Sequence, residues 1–205
     1  MNKIMKQIMA ILLASVMVLS SIAVKPVTSE AKVKLPGKSE KLVEDMADYA
    51  TKYIVYKPKK SWTKVKLNNE TYFDAVTYLR SWCDRDYNYA FSSEDELHKY
   101  CYSYFGKSGY KDVTTGGYFS YNDEQIEIAP EYRFNWTGSW PETKIKKKKK
   151  IKSGVYDVYV TIYHYDMFQQ NYKVGESIIR IKKDKESDFG YVVSGIKYKT
   201  TEKWN

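Results

Sequence analysis

"VYDVYVTIYHYD", residues 155 to 166, decides the fold, because its side chains sort by twos rather than by threes and fours. Tyr156, Val158, Val160 and Ile162 share the expected core face, and Tyr159, Tyr163 and Tyr165 share the other, which is the alternation of a half-buried strand. "QIEIAPEYRFNW", residues 125 to 136, repeats the pattern: Ile126, Ile128, Tyr132, Phe134 and Trp136 fall on one side, with Gln125, Glu127, Glu131, Arg133 and Asn135 on the other. Pro130 argues for an edge or a bulge there, since proline donates no ladder hydrogen bond. Further strands are expected at 113–121, 143–152, 172–183 and 189–199, with turns at Ser153-Gly154 and around Ser187 to Gly190.

Upstream of about residue 110 the period lengthens to that of a helix. Leu42, Val43, Met46, Ala50, Tyr53 and Ile54 recur at threes and fours from Ser39, and Pro58 marks a stop. A second helix follows Asn68 and Asn69 and stripes Tyr72, Phe73, Val76, Leu79, Trp82 and Cys83 along one side. A third follows Ser93, which forms a capping box with Glu96, turns Leu97, Cys101, Tyr104 and Phe105 inward, and ends at Gly106. Helices in a run followed by strands in a run predict an α+β domain, with three N-terminal helices packed on a curved, mostly antiparallel sheet of about five to six strands. No internal repeat is evident.

That element order, with a closing "FGYVVSGIKY" strand at 189–198, resembles the NTF2-like (cystatin-like) superfamily over about residues 39 to 200. The resemblance implies helices set in the concavity of a bent sheet. It carries over no catalytic residue, because such folds host enzymes, ligand binders and interaction modules alike. The strand holding the lysines departs from that pattern, and no pocket motif is recognisable.

The first residues read as an address. Lys3 and Lys6 precede an apolar run from Ile8 to about Val24, and Ser29 and Ala31 suit a cleavage site, with Ser21 and Ala23 as the alternative. Residues 1–31 are therefore expected to be a signal peptide, 32–38 a linker and 39–205 a single domain. The short lysine-rich leader looks bacterial, and a secreted or envelope-associated protein with no stable membrane span after cleavage is expected. Cleavage removes three lysines and one glutamate, so the formal charge falls from +9 to +7. Two cysteines, Cys83 and Cys101, are too few for a disulfide scaffold; export permits a bridge, and two buried thiols fit as well.

The compositional anomaly is "KIKKKKKIK", residues 144 to 152. As a strand it sets same-face ammonium groups about 7 Å apart, within the screening length of about 8 Å, so they repel. An acidic polymer or lipid surface would offset that repulsion, and a solvated edge that blocks strand addition would tolerate it. Lys144, Lys146, Lys147, Lys148, Lys149, Lys150 and Lys152 are thus the candidate polyanion contacts. Trp140, Tyr159 and Tyr163 are candidate aromatic contacts beside them, with Trp136 on the other side of "TGS" from Trp140 and Tyr165 on the strand of Tyr159.

Asp84, Asp86, Asn88, Ser92 and Asp95 occupy positions of a calcium loop, but Tyr89 stands where glycine makes the sharp turn and Asp95 is one methylene short of the usual glutamate. No metal or cofactor is expected. His98 and His164 lack spaced partners, and no Gly-rich phosphate loop, elbow serine or CxxC is present. The expected function is a secreted, non-enzymatic binding module contacting an anionic envelope polymer or other acidic surface through a lysine-rich hairpin. The alternative is a pocket protein that binds a small ligand or hydrolyses one, with His164 or a carboxylate inside.

Overall fold

Gly175 lies where the first helix presses on the sheet. A Cβ built there would meet Ile54 Cδ1 at 2.5 Å and the Lys199 carbonyl oxygen at 2.8 Å, so only a bare backbone lets the two layers touch. A computed structural model describes residues 34–82, 89–106, 117–122, 125–133, 141–165 and 171–201. All belong to one compact unit, Val33–Asn205. The expected signal peptide lies outside the described residues, and among those described no helix is long and apolar enough to cross a membrane.

Helix α1 (Ser39–Tyr56) buries Leu42, Val43, Met46, Ala50 and Ile54, each of the four larger side chains stabilising by about 1.5–3 kcal/mol. It stops before Pro58, with the Lys57 N–H donating to Tyr53 O at 2.9 Å. A two-residue strand β1 (Thr63–Lys64) follows, then α2 (Asn69–Trp82), whose first turn is held by Asn68 Oδ1 accepting from the Thr71 N–H at 3.0 Å. After β2 (Ala90–Phe91) comes α3 (Glu94–Phe105). Ser93 Oγ accepts from the Glu96 N–H as the capping box requires, but the Glu96 carboxylate returns to the Ser92 N–H and Oγ, both at 2.7 Å, rather than to Ser93. Gly106, at φ +71, closes the helix by donating to Tyr102 O at 2.8 Å.

The strands divide between two sheets, where a single one was expected. Strands β5 (Pro141–Lys152), β6 (Val155–Tyr165), β7 (Asn171–Lys183) and β8 (Tyr191–Thr200) form an antiparallel meander, and β1 adds beside β8, giving the order β1-β8-β7-β6-β5. Strand β4 (Gln125–Ile128) pairs with both β2 and β3 (Phe119–Asn122) in a separate three-stranded sheet. The strand expected to reach residue 136 therefore ends at Ile128, and Pro130–Tyr132 forms a 3₁₀ turn instead. Proline cannot continue the ladder, and Arg133 turns back to donate from Nε to Ile128 O and from its guanidinium to Glu127, both at 2.9 Å. Phe134 and Trp136 lie outside the described residues.

Helices α1 and α3 rest on the five-stranded sheet, while α2 packs on those two helices and meets the 3₁₀ turn. Val158, Val160, Ile162, Ile179, Ile181, Ile196 and Tyr198 supply the sheet's share of the core. Ser187 pins the last turn to α3, its Oγ donating to Ser103 O at 2.7 Å. Gly175→Ala should cost about 1–3 kcal/mol, because Ile54 can rotate away but the Lys199 carbonyl cannot. A melting temperature several degrees below the parent's is expected, and an unchanged one would show that α1 does not seat on β7 there.

Candidate functional site

Among the described residues strand β5 is the edge of the large sheet and pairs with β6 along its whole length, so the lysine run lies in the sheet rather than projecting as a finger. Opposed residues of antiparallel strands share a face. Lys144 opposes Thr161, and Ile145 opposes Val160, which belongs to the helix-covered core face. A bulge then takes up Lys146, and pairing resumes at Lys147 opposite Tyr159 and Lys149 opposite Asp157. The extra residue changes the phase of the strand. Lys144, Lys147 and Lys149 consequently point away from the helices, while Lys148 and Lys150 oppose Val158 and Tyr156 on the helix side. Lys147 Nζ stands 4.4 Å over the Tyr159 ring, whereas Lys148 Nζ donates to Lys34 O at 2.8 Å and stands 5.5 Å from the Tyr156 centroid. Every lysine of the run is exposed.

The outer face as a whole is basic. Its middle is neutralised internally: Arg180 donates from Nε and its guanidinium to both oxygens of Asp157, at 2.7 and 2.9 Å, and that pairing raises the Arg180 pKa. Glu176 accepts from Lys173 and, at 2.6 Å, ion-pairs with Lys199. Burial alone would raise the Glu176 pKa, but those two ammonium groups hold it below the ordinary range. Thr161, between Lys144 and Glu176 in the register, is buried although it faces outward. Tyr159 and Tyr163 sit half-buried on this face. At the far edge Lys64 lies directly opposite Lys197, and Lys199 Nζ stands 5.0 Å from the Trp62 ring centroid.

The sequence did not point to that second group of cations as a site. The signal was present in "KPKKSWTKVK" (57–66) and "KYK" (197–199), where outward lysines flank buried Val65 and Tyr198. Trp140, Asp84, Asp86, Asn88 and Cys83 lie outside the described residues, as does the Tyr165 side chain. Of the calcium-loop candidates described, Asp95 is in the first turn of α3 and Ser92 Oγ is engaged by Glu96. Among the described residues no group of three or more His, Cys, Asp and Glu is placed to hold a metal. Cys101 is a buried free thiol, pushed up to about 12 by burial. His98 is exposed on α3, and His164 packs edge-on against Tyr172 with ring centroids 5.2 Å apart.

Two clefts open beside β1. One, of about 570 Å³, runs between the end of α1 and residues 63–71, and is lined by Tyr53, Tyr118, Tyr198, Asp74 and Lys52 among others. The other, of about 790 Å³, lies between Lys66, Tyr102 and Val192. His164 lines neither. Behind the smaller cleft the buried Tyr49 donates to Asp74 at 2.9 Å and lies 3.0 Å from the Tyr53 hydroxyl, while Lys52 ion-pairs with Asp74. Burial first, then the Asp74 carboxylate, raises the pKa of both Tyr49 and Tyr118, the latter to about 12. These hydroxyls stay protonated at neutral pH and can donate hydrogen bonds, but they supply no phenolate nucleophile.

No protein-family model matches the chain, and neither a curated protein nor a solved structure matches it significantly.

Among the described residues one carboxyl titrates near neutrality, and it lines neither cleft. Burial, then the neighbouring Asp45 and Glu44 charges, pushes Asp48 up to about 7, with Lys41 opposing. A carboxyl that holds its proton more tightly when folded contributes stability in full below about pH 4, and that contribution is lost as pH rises through 7. Asp48→Asn should therefore melt a few degrees above the parent at pH 8, with the gap closing toward pH 4; a gap independent of pH would contradict the shift.

Proposed function

We propose that this chain is a secreted, non-enzymatic binding protein of a bacterial envelope that holds an anionic polymer against its sheet through the β5 lysines. The observation that carries the reading is the phase change at Lys146, which sets Lys144, Lys147 and Lys149 on one exposed edge while Asp157, opposite Lys149, is engaged by Arg180 instead. Ammonium groups spaced about 7 Å apart on a solvent-exposed strand repel one another, and a polymer of closely spaced negative charges relieves that repulsion while releasing its own counterions. The same lysines guard the open edge against strand addition, so edge protection and polymer binding are compatible uses of one feature.

A second reading rests on the smaller cleft, whose tyrosine hydroxyls and Asp74 suit a small polar ligand, as a pocket in the NTF2-like manner would. The two readings part on salt. Affinity for long-chain polyphosphate should fall steeply between 50 and 200 mM salt, and changing Lys146 to Lys150 to glutamine should weaken it at least tenfold and flatten the salt dependence. Undiminished binding by that variant would overturn the β5 contact, and a cleft binder would ignore both changes.

A further inference from the structure

Two banks of cations flank the outer face, and only one of them is the lysine run. The near bank is Lys147 and Lys149 on β5. The far bank is Lys197 on β8 and Lys64 on β1, at the opposite edge of the same sheet. One register row joins them: Lys147, Tyr159, Ile178, Lys197 and Lys64 stand side by side across all five strands. With strands about 4.8 Å apart, β5 lies about 14 Å from β8 and about 19 Å from β1. Between the banks both acids are engaged, Asp157 by Arg180 and Glu176 by Lys173 and Lys199, so the floor carries no unmatched carboxylate to repel an anion.

The far bank is costly as it stands. Lys64 and Lys197 are directly opposed on neighbouring strands, where like charges destabilise, and both are exposed. Nor are Tyr159 and Trp62 open platforms for stacking. Lys147 stands over Tyr159 at the near bank, and Lys199 over Trp62 at the far edge, so each ring positions an ammonium group. A partner read by charge alone fits such a surface better than one read through stacked bases.

Resting on the polyanion reading above, we infer that the outer face binds a single linear phosphate polymer crossing the strands from β5 to β1, with Lys64 and Lys197 as its second anchor. A chain too short to bridge the banks would engage one at a time, whereas a long one gains from both at once.

Long-chain polyphosphate and tripolyphosphate separate the cases, titrated against the full chain, Lys64→Gln/Lys197→Gln and Lys147→Gln/Lys149→Gln. The far-bank variant should bind long-chain polyphosphate roughly tenfold more weakly, with a log–log salt slope shallower by about one to two. Its loss for tripolyphosphate should be at most about twofold, and Lys64→Arg/Lys197→Arg should retain parental affinity for the long chain. If the far-bank variant keeps full affinity for the long chain while the near-bank variant loses it, the polymer is confined to β5; the crossing is then overturned and the β5 reading survives. If neither variant matters, both fall. Binding to anionic-lipid vesicles without binding to polyphosphate would also overturn the inference, by making the face a membrane contact.

Discussion

Burial of one face of the β5–β8 meander under α1 and α3 determines what the other face carries. Strand side chains alternate, so seating Val158, Val160 and Ile162 against the helices sends Asp157, Tyr159, Thr161 and Tyr163 outward, and a slip of one residue would exchange the two sets. The close approach at Gly175 holds that arrangement from the helix side. Within β5 the extra residue at Lys146 adjusts the phase locally, ahead of a second register shift between Lys150 and Lys152. It keeps Ile145 turned inward and still delivers Lys147 and Lys149 to solvent beyond it.

With the inner face committed, the outer one is an electrostatic compromise. Its acids are matched: Asp157 by Arg180, and Glu176 by Lys173 and Lys199. Its surplus cations stand at the margins. Repulsion there is softened by exposure and by the rings beneath Lys147 and Lys199, yet the opposed Lys64 and Lys197 still oppose pairing of β1 with β8. Such a cost is consistent with a surface shaped for an anionic partner, and it has the same origin as the edge protection of β5.

Much of the fold was legible because its determinants are local. Helix ends followed from Pro58, Asn68, Ser93 and Gly106, and the meander from alternation and from turns at Ser153-Gly154 and Ser187 to Gly190. The second sheet was not, because alternation says that a segment is a strand but not which strand it joins. Pro130 marked a fault in the 125–136 segment, and whether that fault was a bulge or an end depended on Arg133 folding back onto Ile128. The near bank was legible from composition alone. The far bank was not, since Lys64 and Lys197 meet only through a pairing across more than half the chain, between a two-residue strand and the last one. The division of the lysine run between two faces depended likewise on a bulge that no residue type in "KIKKKKKIK" announces.

Lysine acetylation footprinting, read residue by residue with and without long-chain polyphosphate, tests the central claim most directly. The account predicts protection at Lys147, Lys149, Lys197 and Lys64, with Lys148 and Lys150 modified to the same extent in both conditions. Uniform protection from Lys146 to Lys150 would contradict the outer-face geometry, and no protection anywhere on β5 would contradict the function built on it.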